Sequence, residues 1–339
     1  MNKKVRNLII GAVVLVLLVG ALLLLLFLPQ KQEETTSSES SSVSSTTVEV
    51  YAGDSSAVTS VKVDGAKGVY EVLRTAVEDE KAVYSIEELE GLPQLSNYYS
   101  NLVTQFASVT ATRLIIENPA DLSIYGLKDP QITVEVTYED GTGHTVYLGD
   151  ALTTGDGYYL RADDSDTVYA VSNNKYSAAN RGALEYVSTE ILEEWVAPTD
   201  KDGNVTQEAA IINYLEIDGG TLAEYGLYRM EAELDTDESD MTYSSGYRIV
   251  SPIEADFRIR ADSDGNDQNA VYTEKLSTSF SAERVADVFP DGEALTAYGF
   301  DEPYATIRFA RDGVDHVWTI GGETATNGGV EARYMMADD

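Results

Sequence analysis

Two histidines, His144 and His316, are the only imidazole side chains in this 339-residue chain, which contains no cysteine. Each lies three residues beyond an Asp-Gly pair, so the two positions are equivalent. Imidazole binds ligands and titrates near neutral pH, which would make the pair a repeated ligand contact or a pH-sensitive group. Because neither has carboxylate and histidine partners nearby in the sequence, an ordinary place on a hairpin strand is favoured. The composition excludes disulfides, thiolate zinc sites, cysteine nucleophiles and multi-histidine metal sites.

Three acidic turns carry the alternating oxygen side chains that calcium prefers. None of them completes the twelve-residue calcium loop: the twelfth position from Asp200 is Ile211. From Asp262, the glycine of the loop would fall at Asp267. Solvated turns are therefore favoured over metal sites. The turns are Asp163/Asp164/Asp166, Asp200/Asp202/Asn204 and Asp262/Asp264/Asp267.

No sequence motif for nucleotide binding, zinc proteolysis or a serine nucleophile occurs. Glycoside hydrolysis needs a pair of acidic side chains, but such a pair cannot be recognised among 58 Asp and Glu residues. The 22 tyrosines could stack on sugars, but most alternate with polar residues as they do in packed strands. We therefore assign no catalytic residue, no metal ligand and no cofactor.

The charge balance limits the partners of the chain. With 23 Lys and Arg against 58 Asp and Glu, the net charge is −35. A phosphate backbone would be repelled by such a surface, so no nucleic acid partner is expected.

An apolar run lies close to the N-terminus. Leu8–Leu28 is 21 uncharged residues, enough to cross a hydrocarbon core of about 30 Å as a helix. Lys3, Lys4 and Arg6 precede it, and positive charge stays on the cytoplasmic side. Residues 1–30 are therefore predicted to form a cytoplasmic arm and transmembrane anchor of a single-pass protein. Residues 8–28 would contact the lipid bilayer, and the C-terminal bulk of the chain would be extracytoplasmic. A cleaved signal peptide is the alternative, but the run is long and no Ala-x-Ala site follows it.

Beyond the anchor, the sequence compares well with itself. Residues 31–56 are rich in Ser, Thr and Glu and are predicted to be a disordered tether. Residues 57–196 form a first unit and residues 208–339 a second, incomplete one, because several different signals recur in the same order. The repeat signature consists of Tyr125, Gly126, Pro130, Asp140, Gly141 and His144 in the first unit and Tyr298, Gly299, Pro303, Asp312, Gly313 and His316 in the second.

The elements that position these residues are predicted from periodicity. Alternating apolar residues indicate strands joined by Asp-Gly hairpins, and residues 95–106 have helical spacing after Pro93. Ser85 and Glu88 suggest a capping box, and a helix over 178–194 closes the unit. The predicted fold class is α+β: an N-terminal transmembrane helix followed by two repeated mixed α/β units with mainly antiparallel strands.

An N-terminal anchor followed by Tyr125-Gly126-Leu127-x-x-Pro130, Asp140-Gly141 and Leu148-Gly149-Asp150 resembles the domain of unknown function 4340 family. Membrane-anchored members of that family are commonly associated with ABC-type transport systems of the gliding-motility type. The resemblance implies an accessory role at the outer face of the membrane, with ABC transporter subunits as partners.

The second unit ends at the turn that precedes strand 167–171 in the first unit. We therefore expect it to lack a strand and a closing helix and to leave an edge strand with Tyr334 and Met336 unpaired. The sequence is accordingly expected to be a truncated form of a longer protein.

Three functions remain in order of preference. The first is a non-enzymatic, membrane-anchored accessory component of a transport or envelope complex. The second is an extracytoplasmic module that binds sugar or peptide, and the third is an envelope hydrolase.

Overall fold

Antiparallel sheets make up most of this computed structural model, which describes residues 47–79, 81–207, 209–232, 247–253, 257–258 and 276–338. The strands up to residue 172 are β1 (Val48–Tyr51), β2 (Val58–Gly65), β3 (Gly68–Glu78), β4 (Lys81–Ser85), β5 (Val109–Ala111), β6 (Arg113–Ile116), β7 (Ile132–Tyr138), β8 (Gly143–Ala151), β9 (Gly157–Ala162) and β10 (Val168–Ser172). Eight of them form one sheet in the order β4-β3-β2-β7-β8-β9-β10-β6, and β1 pairs with β5.

A second sheet is built from the later strands. These are β11 (Glu190–Leu192), β12 (Ile212–Gly219), β13 (Tyr228–Ala232), β14 (Tyr247–Ser251), β15 (Phe257–Arg258), β16 (Phe280–Ser281), β17 (Ala305–Arg311), β18 (Val314–Ala325) and β19 (Glu331–Asp338). The order is β15-β14-β13-β12-β17-β18-β19, and β11 pairs separately with β16.

The two sheets share an order of six strands. In the first sheet β2 lies between β3 and β7, and in the second β12 lies between β13 and β17. The order β4-β3-β2-β7-β8-β9 therefore corresponds to β14-β13-β12-β17-β18-β19. The first sheet continues beyond β9 with β10 and β6, whereas the described part of the second sheet ends at β19.

Strand β7 illustrates why these segments are strands. Its residues Ile132, Val134, Val136 and Tyr138 are buried, while the residues between them are more exposed. This period of two places one apolar face on the core of the first sheet, where α1 (Ser96–Ala107) also packs. The second core is smaller and contains Leu192, Ile212, Leu215, Met230, Leu276, Phe309 and Trp318.

The helical face predicted after Pro93 is confirmed, although the helix begins only at Ser96. Tyr99, Leu102 and Phe106 of α1 are buried at three- and four-residue spacing. The remaining α-helices in the described chain are short: α2 (Asn173–Ala179) and α3 (Gly292–Ala297).

The predicted fold class is wrong. The described chain consists mainly of antiparallel sheets and has far fewer residues in α-helices than in strands, so the two units are not mixed α/β units. None of these helices is long and apolar enough to span a membrane, so the expected N-terminal transmembrane helix is not found among them. The run Leu8–Leu28 itself lies outside the described residues.

The predicted closing helix over 178–194 is also wrong. Helix α2 ends at Ala179, Gly182 precedes a short 3-10 turn, and β11 follows. Leu192 of β11 is buried in the second core. β-Branched and hydroxyl side chains around Ile191 favour an extended conformation over a helix.

Two smaller expectations need correction. Ser85 is the last residue of β4, and the 3-10 turn that contains Glu88 has no side-chain cap, so there is no capping box. The predicted tether covers residues 31–56, of which the structure describes residues 47–56. This part contains β1, which pairs with β5 and packs on the first core, so it has regular structure.

Candidate functional site

The first half of the repeat signature builds a tight turn against a neighbouring strand. Tyr125 ends a 3-10 turn, and Gly126 has a φ of 65°. A Cβ on Gly126 would lie 2.6 Å from the Asp150 carboxylate, and one on Gly149 would collide with the Tyr125 carbonyl oxygen. Only glycine fits either position, so these residues have a structural role.

The second half of the signature repeats this geometry. Gly299 has a φ of 78°, and a Cβ there would lie 2.7 Å from the Gly322 nitrogen. A Cβ on Gly321 would collide with the Tyr298 carbonyl oxygen. The residues after the prolines also match. The N–H of Gln131, after Pro130, donates to Leu148 at 2.8 Å, and that of Tyr304, after Pro303, donates to Ile320 at 2.8 Å.

Both Asp-Gly pairs form the expected hairpin turns, which join β7 to β8 and β17 to β18. Asp140, before Gly141, accepts hydrogen bonds from the hydroxyl and N–H of Thr142, and these bonds lower the pKa of its carboxyl. Asp312 precedes Gly313. It accepts from Trp195 at 2.7 Å, from Gln207 at 2.7 Å and from the Ile211 N–H at 3.0 Å. Burial opposes ionisation, but these bonds hold the pKa of Asp312 below its usual value.

His144 is a core residue of the first sheet. Only 4% of its surface is exposed, its Nε2 donates to the Phe106 carbonyl at 2.9 Å, and its ring stacks on Tyr51 at 3.8 Å. Burial lowers the pKa of the imidazole, so the neutral form is favoured. These contacts indicate a packing role, because His144 lies on β8 and contacts both α1 and β1.

His316 lies on β18 of the second sheet, so the structure does not bring the two histidines together. Its ring stacks on Phe309 at 4.8 Å. It also lines a mainly polar depression with Glu190, Glu193 and Arg311. Arg311 donates to the carbonyl oxygens of Glu193 and Thr278, which ties β17 to the segments that contain these two residues.

In the two acidic turns that the structure describes, the first aspartate accepts hydrogen bonds from backbone N–H groups. Asp163 accepts from the Thr145 N–H at 2.8 Å. Asp200 accepts from the N–H groups of Asp202 and Asn204, both at 2.9 Å. Among the described residues no group of three acidic or histidine side chains could hold a metal ion. The turn Asp262/Asp264/Asp267 lies outside them.

A concave feature lies beside β19. This edge groove has a volume of about 480 Å³ and runs between β19 and the segment 280–290. Apolar side chains form much of its lining: Ile191, Phe280, Val285, Phe300, Met335 and Ala337. Strand β19 is the last strand of the described sheet, as the sequence predicts for the segment with Tyr334 and Met336.

Polar groups at the edge groove form hydrogen bonds and ion pairs with other groups of the chain. Arg284 donates to Asn327 and to the Ala325 carbonyl, both at 3.0 Å. The Tyr298 hydroxyl donates to Asp287 at 3.1 Å. Arg333 lies 3.6 Å from the centre of the Tyr304 ring and forms an ion pair with Glu323 at 2.9 Å. The groove therefore combines a preformed polar frame with an apolar lining, which suits binding rather than proton transfer.

An exposed aromatic residue lies next to this groove in the chain. Phe289 precedes the lining residue Pro290, is 67% exposed, and has a φ of 55°. A bulky side chain seldom adopts that backbone conformation, so it marks a strained position. Sequence reasoning identified Tyr298, Tyr334 and Met336 but missed segment 280–290. Its irregular structure has no periodicity that could have revealed it.

The family model described as Domain of unknown function (DUF4340) matches residues 86–303. The match begins directly after β4 and ends at Pro303, which belongs to the second half of the repeat signature. It covers well over half of the chain. No curated protein and no solved structure matches the chain.

Proposed function

Since this chain belongs to the family described as Domain of unknown function (DUF4340), we propose that it is a non-enzymatic accessory component of an ABC-type transport or envelope complex. The observation that carries the proposal is the edge groove, an open apolar channel along an edge strand. Its partners would be transporter subunits, the association that the family resemblance implies.

The groove supports binding of a protein chain for two reasons. Its apolar lining would be removed from water by a partner, and this is the main driving force of association. Its charged rim, which includes Arg284 and Arg333, is already paired, so a partner need not break and replace many polar contacts. Exposed Met336 belongs to the lining of the groove, and exposed Phe289 extends the apolar surface beside it.

We also propose that the chain contains two copies of one unit. The shared order of six strands, the two glycine turns and the two Asp-Gly hairpins support this duplication.

The proposed location is the outer face of the cell membrane. The apolar run 8–28, preceded by Lys3, Lys4 and Arg6, supports attachment there with the C-terminal bulk outside the cytoplasm. An acidic surface is also compatible with this site, because the described sheets need not touch the anionic lipid headgroups directly.

Photo-crosslinking in the native cells tests the proposed function. The crosslinking amino acid p-benzoylphenylalanine replaces Met336, which is 37% exposed and lines the groove. The matched control replaces Val69, which is exposed on the first sheet. We expect adducts that mass spectrometry identifies as ABC permease or ATPase subunits from position 336 and not from position 69. Adducts without such subunits, or equal adducts from both positions, would contradict the proposal.

Binding of a free sugar or peptide is the second candidate, since Tyr298 and Tyr334 both line the groove. Their rings lie 4.7 Å apart and contact each other, so neither is a free stacking platform. The equivalent rings of Tyr125 and Tyr159 also contact each other in the first sheet, there edge to face. Calorimetric titration with oligosaccharides is expected to give no heat of binding, and a saturable signal would favour the second candidate.

A further inference from the structure

Strand β6 is an edge of the first sheet that carries exposed apolar side chains. It is the last strand in the order of that sheet, and its inner side pairs antiparallel with β10. Leu114 is 42% exposed and Ile116 is 38% exposed, so two of the four residues of β6 present a large apolar side chain to water. The described chain continues on both sides of β6, and neither β5 nor β7 pairs with its outer side. Such an edge offers main-chain N–H and C=O groups to a further strand.

The opposite edge of the same sheet does not share this feature. Strand β4 is the other outermost strand, begins with Lys81 and has no large apolar residue that is exposed. A lysine on an edge strand discourages pairing with other chains, and natural sheets commonly protect their edges in this way. The exposed apolar residues of β6 are therefore specific to that edge.

The sequence of this edge is complementary to itself in the antiparallel sense. The segment from Arg113 to Glu117 reads Arg-Leu-Ile-Ile-Glu, with a basic residue at one end and an acidic residue at the other. When two copies pair antiparallel about Ile115, Arg113 of each copy lies opposite Glu117 of the other. The same register places Leu114 opposite Ile116. Opposite charges and apolar pairs at directly opposed positions both stabilise antiparallel strands.

The two charged residues are free to take part in such a contact. In the part of the chain that the structure describes, neither Arg113 nor Glu117 forms an ion pair. Glu117 is exposed directly after the strand, and Arg113 is half-buried at its start. A second copy would therefore supply an opposite charge to each of them without breaking an existing ion pair.

From this self-complementarity we infer that β6 pairs antiparallel with β6 of a second copy of this chain, about a two-fold axis at Ile115. The first sheets of the two copies then form one continuous sheet. Because each copy uses the same edge, the contact is closed and a third copy cannot add to it. The register between β6 and β10 shifts at Ile115, and the two-fold axis sets this irregular residue of each copy opposite that of the other.

The contact is short, which determines how strong the pairing is. A stable dimer buries about 1,200–2,000 Å² of surface, far more than a pair of such short strands covers. The association is therefore reversible in dilute solution and is favoured where the chains are held close together, as on one membrane surface. Covalent trapping detects a reversible pair of this kind.

Disulfide trapping tests the pairing. The chain has no native cysteine, so an introduced thiol is the only one in each copy. Opposed residues of antiparallel strands have Cα atoms about 4.5–5.5 Å apart, which a disulfide can span. The Ile115→Cys full chain, in mild detergent and a glutathione redox buffer, should therefore form a disulfide-linked dimer. Val77→Cys, at an exposed apolar position on β3, is the matched control and should stay monomeric. Absence of the Ile115→Cys dimer, or equal dimers of both variants, would overturn the inference.

A mixture of two further variants tests the register. Leu114→Cys and Ile116→Cys lie opposite each other between the copies, whereas each is displaced by two residues from its own counterpart. The mixture should therefore form dimers about five-fold faster than either variant alone. A size tag on one variant separates the mixed dimer on a gel. Equal rates for the mixture and for the single variants would contradict a two-fold axis at Ile115.

Charge reversal tests the complementarity of the two ends. In the Ile115→Cys chain, Arg113→Glu places like charges at both ends of the pair and should slow trapping about ten-fold. Adding Glu117→Arg makes the charges opposite again and should restore the rate. Reaction of each thiol with a small soluble disulfide corrects for changes in cysteine reactivity. A rate that ignores the first change, or that the second does not recover, would overturn the inference.

This inference goes beyond the proposed function and uses no residue of the edge groove. Photo-crosslinking from position 336 does not report on β6, and disulfide trapping at β6 does not report on transporter subunits. Either proposal can therefore fail while the other stands.

Discussion

The rings of Tyr298 and Tyr334 lie 4.7 Å apart and join the turn before β17 to the edge strand β19. In the first sheet Tyr125 and Tyr159 join the corresponding elements with ring centres 5.0 Å apart. One pair lies next to a further strand and the other next to an open groove. The tyrosine pair therefore supports the frame of each sheet.

Gly321→Ala should destabilise the second sheet by about 1–3 kcal/mol. The added Cβ would collide with the Tyr298 carbonyl oxygen. Urea unfolding followed by tryptophan fluorescence measures the effect, because Trp318 is buried in the second core. Gly328→Ala is the control, since the nearest atom to its Cβ is 3.8 Å away. Similar losses in both variants would contradict the close approach.

Asp312→Ala should lower the free energy of unfolding by about 1–2 kcal/mol. The carboxylate accepts hydrogen bonds from Trp195, Gln207 and the Ile211 N–H, and these donors would lose their partner. Because the pKa of Asp312 is lowered in the folded chain, this contribution is present above the unfolded pKa and is lost as the pH falls through the folded value. An unchanged unfolding midpoint would refute the role of this turn.

His144→Gln should change how stability depends on pH. Burial lowers the folded pKa of His144 below its ordinary value of 6.5, so the unfolded chain binds the proton more tightly. The wild type therefore loses stability as the pH falls below about 6.5, and the variant lacks this contribution. Urea titrations of the two proteins are compared at each pH. The difference between their free energies of unfolding removes the contribution of the carboxylates that both proteins contain. A constant difference between pH 7.5 and pH 5 would show that His144 does not titrate in this way.

Lys175→Met tests a buried amine that lies outside the groove. Lys175 is 5% exposed, its Nζ donates to the Gln105 carbonyl near the end of α1, and burial lowers its pKa to about 8. The folded chain thus releases the proton more readily, and wild-type stability should rise between pH 8 and pH 10.5. The variant should lack this rise. Chemical denaturation across the range measures it, and identical slopes would contradict the assignment.

Protease added to wall-stripped intact cells should degrade the part of the chain after residue 46. The positive charges before the apolar run keep the N-terminal arm in the cytoplasm, which would leave the sheets outside. An immunoblot against the sheets measures the loss, and a cytoplasmic protein in the same sample must stay intact. Full protection of the sheets until the cells are lysed would contradict the proposed location.

Much of the strand pattern could be read from local sequence. The alternation from Ile132 to Tyr138 and the Asp-Gly turns act over a few residues, so periodicity and turn chemistry identify them. The same holds for the buried face of α1. The helix expected over 178–194 failed because its residues are divided between two cores, and no local pattern records which core a side chain such as Leu192 enters.

The sequence by itself determined the spacing of two equivalent turns, each with glycines where a Cβ would collide with backbone. It also indicated that the last strand would carry Tyr334 and Met336 at an edge. Only the tertiary structure decided that segment 280–290 lies opposite this edge and encloses a groove with it. The same is true of His144, whose burial depends on α1 and β1. Such contacts join residues far apart in the chain, and their geometry follows from the packing of whole sheets rather than from any local signal.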